Sequence, residues 1–295
     1  MRAERISKNV HVIDCESEAE FLLISDLHWD NPHCDRELLK SHLDEAVRRN
    51  AGIIINGDLY CVMQGRADGR RNKGDIRPEH NTPYYFDAIV DTSVEWFAPY
   101  AKNILLVGYG NHETSIIKFN EIDLLQRFSS VINRECGSHI QVGGYTGVIE
   151  FRLGWGSEAT RRHLSFVTHY AHGFGGGGVV TKGVLQDSRL MMAMEGYDCT
   201  WMGHVHELYY HQNIIHRYDR QTKTLIQKPV HQLRTATYKE EWDGGYMGFH
   251  TERGRGPKPL GGYWMKLETS RNSSKDNRGP EVQVHATFTP ADRLY

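Results

Sequence analysis

Three short apolar runs, each closed by polar residues at its carboxyl end, restrict this chain more than any other feature. Phe21-Leu22-Leu23-Ile24 stops at Ser25-Asp26, and Ile53-Ile54-Ile55 stops at Asn56-Gly57-Asp58. Ile104 to Val107 stops at Gly108-Tyr109-Gly110-Asn111-His112-Glu113. Uninterrupted apolar runs of this length suit strands covered on both faces, as in a parallel sheet between helices. Helical patterns lie between them. Asp35 can cap a helix over Arg36 to Asn50, where Leu38, Leu39, Leu43, Ala46 and Val47 share a face and Gly52 follows. A second apolar stripe, Phe86, Ile89, Val90, Val94 and Phe97, predicts a helix from about Pro83 to Ala101, and a third is expected from about Glu121 to Arg134. This β-α-β-α-β order predicts an α/β fold with ligands at the carboxyl ends of the strands.

The second half is richer in strand patterns. Leu164 to Tyr170 leads into a Gly-rich stretch at 173–178, and Cys199-Thr200-Trp201-Met202 leads into Gly203-His204-Val205-His206. Leu208 to Tyr210, Tyr263 to Leu267 and Val282 to Phe288 read as further antiparallel strands. Residues 252–281, rich in Gly, Pro, Ser and charge, read as extended loops. Residues 1–295 are expected to form a single domain, with 252–295 a loop-rich C-terminal extension that completes the second sheet.

Composition narrows the classes. Thirty-five Lys and Arg against 37 Asp and Glu give a net charge of −2, which excludes a globally basic nucleic-acid coat but not a local patch. Five widely spaced cysteines without a C-x-x-C pair argue against a disulfide framework and a thiolate zinc site. Met1 to Glu20 has no apolar core of the signal-peptide kind, and no apolar run approaches a membrane span. A cytoplasmic location without a membrane partner is therefore expected. Seventeen histidines are a surplus, and histidine is the commonest metal ligand.

The surplus gathers at the strand ends. Asp26-Leu27-His28, Gly57-Asp58, Gly110-Asn111-His112-Glu113 and Gly203-His204-Val205-His206 each follow an apolar run, and Thr168-His169-Tyr170-Ala171-His172-Gly173 offers two more histidines. In the D-x-H and H-x-H spacings, alternate residues of extended chain point the same way and can face one site. Carboxylate, imidazole and amide oxygen without thiolate suit manganese, iron or zinc in a reactive centre better than a structural zinc. Each piece alone is weak, because a lone D-x-H or G-D is usually a cap or a turn. Their joint order is specific.

That order resembles the calcineurin-like metallophosphoesterase superfamily, marked by D-x-H, G-D, G-N-H-E/D, a lone histidine and G-H-x-H. All five elements are matched between residues 26 and 206. The stretches Asp26 to His33 and Ile76 to His80 are also similar to phage-type members, which would place the protein in a host cytoplasm. The resemblance implies a four-layer αββα sandwich of two mixed β-sheets flanked by helices, with a binuclear metal centre. It implies one ion on Asp26, His28, Asp58 and His206, and another on Asp58, Asn111, the lone histidine and His204. Asp58 would bridge them. The lone histidine is His172, before the glycines, or alternatively His169, at the strand end. His112 would contact the phosphoryl group or protonate the leaving oxygen, as the catalytic residue, while Glu113 orients its neighbours. Two divalent ions are implied, manganese first, with iron, zinc or magnesium as alternatives, and a bridging hydroxide as the nucleophile.

Substrate is less constrained. The Ser/Thr protein phosphatases of that superfamily carry G-D-x-x-D-R-G, whereas this chain reads Gly57-Asp58-Leu59-Tyr60-Cys61-Val62-Met63 and lacks the arginine. Residues 66–77 set Arg66, Arg70, Arg71, Lys73 and Arg77 against Asp68 and Asp75, with Tyr84 and Tyr85 close behind. Such a segment is either a solvated loop or a contact for nucleic acid through charge and stacking. A phosphodiesterase or nuclease is the leading expectation, with Arg66, Arg70 and Arg71 as candidate substrate contacts. A phosphomonoesterase or protein phosphatase is the alternative, and a non-catalytic metal-binding interaction module the third reading.

Overall fold

The computed structural model describes residues 1–62, 73–156, 162–178, 180–242, 254, 256–272 and 281–292. The chain opens with strands β1 (Ala3–Ser7), β2 (Val10–Cys15) and β3 (Glu18–Ile24), then α1 (Arg36–Arg48), β4 (Gly52–Ile55), α2 (Tyr85–Phe97) and β5 (Ile104–Val107). Next come α3 (Asn111–Asn120), α4 (Leu124–Cys136), β6 (Gln141–Val142), β7 (Thr146–Trp155), β8 (Arg162–Ala171), α5 (Val184–Met192) and β9 (Cys199–Met202). Two hairpins follow: β10 (Tyr209–Asp219) with β11 (Thr224–Arg234), and β12 (Gly261–Asn272) with β13 (Glu281–Asp292). Asp35 caps α1 as its sequence suggests, its carboxylate accepting the Leu38 amide at 2.9 Å.

The result is an α/β sandwich of two mixed sheets. One has seven strands in the order β1-β2-β7-β8-β9-β11-β10, the other six in the order β13-β12-β3-β4-β5-β6. Alternation along each strand explains the layering. Phe21 and Leu23 of β3 face the other sheet, where Ile149, Phe151 and Leu153 of β7 meet them, and the Phe21 and Phe151 rings lie 4.6 Å apart. Leu22 and Ile24 face the opposite way, into a core with Leu39 and Leu43 of α1, Val90 and Phe97 of α2 and Phe128 of α4. Burying each such side chain contributes about 1.5–3 kcal/mol. α5 covers the outer face of the seven-stranded sheet, where the Gln232 amide reaches the Met191 sulfur at 3.2 Å.

In the C-terminal region the strands expected at Tyr263 to Leu267 and Val282 to Phe288 are present and longer, since β12 continues through residues 268–272, which read as loop. β12 pairs antiparallel with β3 from Tyr263↔Leu23 to Glu268↔Glu18. The final hairpin thus extends the sheet that holds β3, β4 and β5. The reason is apolar complementarity: Met265 and Leu267 complete the inter-sheet core that Phe21 and Leu23 began. No helix among the described residues is long and apolar enough to cross a membrane.

Candidate metal centre

The motif residues meet where the carboxyl ends of both sheets converge. Beyond β3 and β4 the chain keeps pairing: the Asp26 amide donates to Gly57 O and the His28 amide to Asp58 O, both at 3.0 Å. In the seven-stranded sheet β8 and β9 likewise continue past their ends, the Gly203 amide donating to His172 O at 2.9 Å. These turns force an uncommon backbone. Asp26, His28, Asp58, His204 and His206 all have positive φ, from 47° to 74°. Non-glycine residues held there cost about 1 kcal/mol or more each and cluster at functional sites. The glycines beside them are dictated by contact: a Cβ on Gly110 would lie 1.9 Å from Asp58 Oδ1, and one on Gly203 would lie 2.6 Å from Asp26 Oδ2.

Two donor groups result, Asp26–His28–His206 and Asp58–His172–His204, each compact enough to hold a metal ion. In the first, His206 Nε2 is 3.4 Å from Asp26 Oδ1 and 3.3 Å from His28 Nε2. In the second, His172 Nε2 is 3.2 Å from Asp58 Oδ2, and Asn111 Oδ1 lies 3.2 Å from His172 Nε2 and 2.8 Å from His204 Nδ1. The groups adjoin, His172 Nε2 also lying 3.8 Å from Asp26 Oδ1. A third grouping, His28, Cys61 and His112, borders them.

The electrostatics fit a cation. Burial would raise both carboxylates, but the imidazoles overcome it: His172 and His206 hold Asp26 down at about 2, and His172 and His112 hold Asp58 well below the usual range. Burial pushes His28 far down and lowers His204 too, leaving neutral imidazoles with lone pairs to offer. His172 goes the other way, up to about 10, because Asp58 and Asp26 outweigh its burial. Asp26 Oδ1 is fully buried without a hydrogen-bond partner among the described residues, which is costly unless a cation completes its environment. These donors therefore fit a divalent ion, and they would present it with nitrogen and oxygen ligands alone.

The surrounding shell explains how the donors are held. Glu113 accepts the amides of Gly110 (2.8 Å), Tyr60 (2.9 Å) and Asp58 (3.2 Å), so one carboxylate ties two motif loops together. Burial and the neighbouring Asp58 push it up to about 8 against those donors. Asp26 is fixed from several sides. Its Oδ2 accepts from Ser25 Oγ at 2.5 Å and the His204 amide at 2.9 Å, and its carbonyl accepts from Thr237 Oγ1 at 2.7 Å. Thr237 and Arg234, whose Nη1 donates to Gly203 O, were not legible as site residues because their partners lie far away in sequence.

Of the two candidate lone histidines, the structure brings His172 to the cluster and not His169. His169 projects from the outer face of the seven-stranded sheet, 2.9 Å from Thr146 Oγ1 and packed on Tyr197. Strand alternation separates them, since Ala171 ends β8 and His172 lies beyond it. His112 lies beside the donors: Nδ1 donates to Cys61 O at 2.6 Å and Nε2 is 3.9 Å from Asp58 Oδ2. Arg66, Arg70 and Arg71 lie outside the described residues. Arg77, from the same segment, is committed to structure, donating to the carbonyls of Asn31 and Cys34 at 3.0 and 3.1 Å. In comparisons with known proteins, no family model and no curated protein matches the chain.

Proposed function

We propose that the chain is a metal-dependent phosphoesterase, a phosphodiesterase or nuclease in the first instance. What supports this is the adjacency of the Asp26–His28–His206 and Asp58–His172–His204 donor groups, with the His112 imidazole beside them. Two divalent ions are the proposed occupants, manganese first, then iron, zinc or magnesium, with Asp58 shared between them and Asn111 assigned to the second. Bound there, they would supply concentrated positive charge and a water acidified toward neutral pH.

The chain's own residues do the rest. Asp26, Asp58, His28, His172 and His206 are buried, and all but His172 sit on the strained turns, so they need little reorganisation during the reaction. His112 keeps its Nδ1 proton on Cys61 O, and its Nε2, on the Asp58 side, would hydrogen-bond a phosphoryl oxygen or give a proton to the departing alkoxide. Glu113 touches no reacting atom in this scheme; it fixes the spacing of the Asp58 and Asn111 loops.

The test is a manganese-loaded preparation assayed on bis-p-nitrophenyl phosphate, p-nitrophenyl phosphate and single- and double-stranded DNA. Diester or DNA cleavage is expected. Action on the monoester alone would transfer the assignment to a phosphomonoesterase. Silence on every substrate, with metal bound, would leave a metal-binding interaction module.

A further inference from the structure

The hairpin of β10 and β11 outgrows its sheet. β11 pairs with β9 only from His231↔Cys199 to Arg234↔Met202, whereas its pairing with β10 continues to Asp219↔Thr224. Thr224 to Pro229 and their partners Ile214 to Asp219 therefore continue as a two-stranded ribbon beyond the pairing with β9, about 20 Å long at the usual rise. Because β11 runs parallel to β9, and β9 leads into Gly203, the ribbon's tip points away from the metal centre.

Its surface is unlike that of a solvated hairpin. Tyr218 and Leu225, directly opposite one another, are 55% and 66% exposed, and Ile214, Ile215 and Ile226 are exposed as well. Around them Arg217, Arg220 and Lys223 are exposed cations. The single carboxylate, Asp219, is turned into the hairpin end, where it accepts the amides of Gln221 and Thr222 at 2.8 and 3.0 Å. Lys228 anchors the root on Asp198 at 2.8 Å. Three cations thus crowd one end of a chain whose net charge is −2.

We propose that this ribbon is an arm that binds duplex DNA. Charge decides the partner class: Arg217, Arg220 and Lys223 complement phosphates, and releasing the counterions of the duplex supplies the affinity. Shape agrees, because the major groove admits a two-stranded β-ribbon. Tyr218, Leu225 and Ile214 then supply apolar contact with sugars and thymine methyl groups. The arm holds the duplex without touching the metal centre, and its binding does not depend on the phosphoesterase reading.

The test measures fluorescence anisotropy of a labelled duplex oligonucleotide with the full chain, in an Asp58→Asn background so that bound DNA stays intact. Adding Arg217→Ala, Arg220→Ala and Lys223→Ala together should weaken binding at least about tenfold at low salt. It should also reduce the slope of log affinity against log salt by about 3, one for each lost phosphate contact. Without the Asp58 substitution, the triple variant should hydrolyse bis-p-nitrophenyl phosphate at the parent rate. Equal affinity and equal slope in parent and triple variant would overturn the proposal, as would the absence of salt-sensitive binding in the parent. A parent that is dimeric by light scattering and becomes monomeric on Leu225→Ser would instead assign the ribbon to a second copy of the chain. DNA binding with no diester hydrolysis would sink the phosphodiesterase or nuclease reading alone.

Discussion

His172 donates its Nδ1 proton to the carbonyl oxygen of Asn56 at 2.9 Å, and that bond turns Nε2 toward Asp58, 3.2 Å away. A carbonyl only accepts, so Nδ1 carries a proton and Nε2 is the nitrogen that faces the second donor group. His172→Ala should therefore weaken manganese binding at least about tenfold, the lower range for disturbing a metal site. His169→Ala should leave the affinity within about twofold, because its ring faces the other side of the sheet. Calorimetric titration of both variants with manganese checks the pair; equal losses would contradict the separation.

His112 is expected to affect chemistry and not metal retention. Its Nδ1 is held by Cys61 O, and it belongs to neither principal donor group. His112→Gln should lower kcat by about 10²–10⁴, the usual range for a positioned acid or base, with the manganese content of the protein unchanged. Asp58→Asn should instead abolish hydrolysis while circular dichroism shows the fold retained. Substantial metal-dependent turnover by a folded, metal-bound Asp58→Asn would remove Asp58 from its shared position.

Glu113 should prove to be a positioning residue. Replacing it by Gln keeps the shape but offers one carbonyl oxygen and an NH₂ group to three amide donors, those of Gly110, Tyr60 and Asp58. Leaving buried donors unmatched costs about 1–3 kcal/mol. Urea denaturation of Glu113→Gln should register that loss, and manganese affinity should fall with it because Asp58 shifts.

The strand ends were readable from sequence because apolar runs and polar terminators are local signals. So was α1, whose cap and stripe lie within one segment. Other features needed the tertiary fold. No element was assigned to residues 114–120, yet Asn111–Asn120 is a helix, and the acid three residues after Gly110 was the available signal for its start. β7 alternates Ile149, Phe151 and Leu153 and could have been found by that period. The positive φ of Asp26 or His204 could not, since it accompanies contacts between distant segments, such as the Asp26 amide on Gly57 O and the His204 amide on Asp26 Oδ2. The pairing of β12 with β3 joins residues that no short-range pattern connects.

His11 contributes to the pH dependence of stability from outside the metal centre. It is fully buried in β2, and neither ring nitrogen has a hydrogen-bond partner among the described residues. Burial, helped by Arg5, lowers it to about 4. The unfolded chain takes up a proton near pH 6.5, but the folded chain does not until about pH 4. The His11 contribution to stability is therefore complete above pH 6.5 and falls as the pH drops through that interval. At 1.36 kcal/mol for each unit, the loss by pH 4.5 is about 2–3 kcal/mol. His11→Leu should lose that much less than the parent between pH 7.5 and 4.5 in urea denaturation, and parallel losses would exclude His11 as the source.

Arg234 and Asp187 form a buried ion pair that links α5 to the metal loop. Both are almost inaccessible, the guanidinium grips the carboxylate through Nε and Nη2, and Nη1 donates to the carbonyl oxygen of Gly203, one residue before His204. Removing one partner leaves the other charge buried and unpaired, which costs about 3–5 kcal/mol. Asp187→Leu and Arg234→Met should each show such a loss in urea denaturation. The double variant should be more stable than the sum of the two losses predicts, because no charge is then stranded. Metal binding separates the roles of the two residues. Arg234→Met frees the Gly203 carbonyl and should weaken manganese binding, and the double variant should remain weak even as its stability recovers. A double variant that regains both would mean that the pair acts on stability alone.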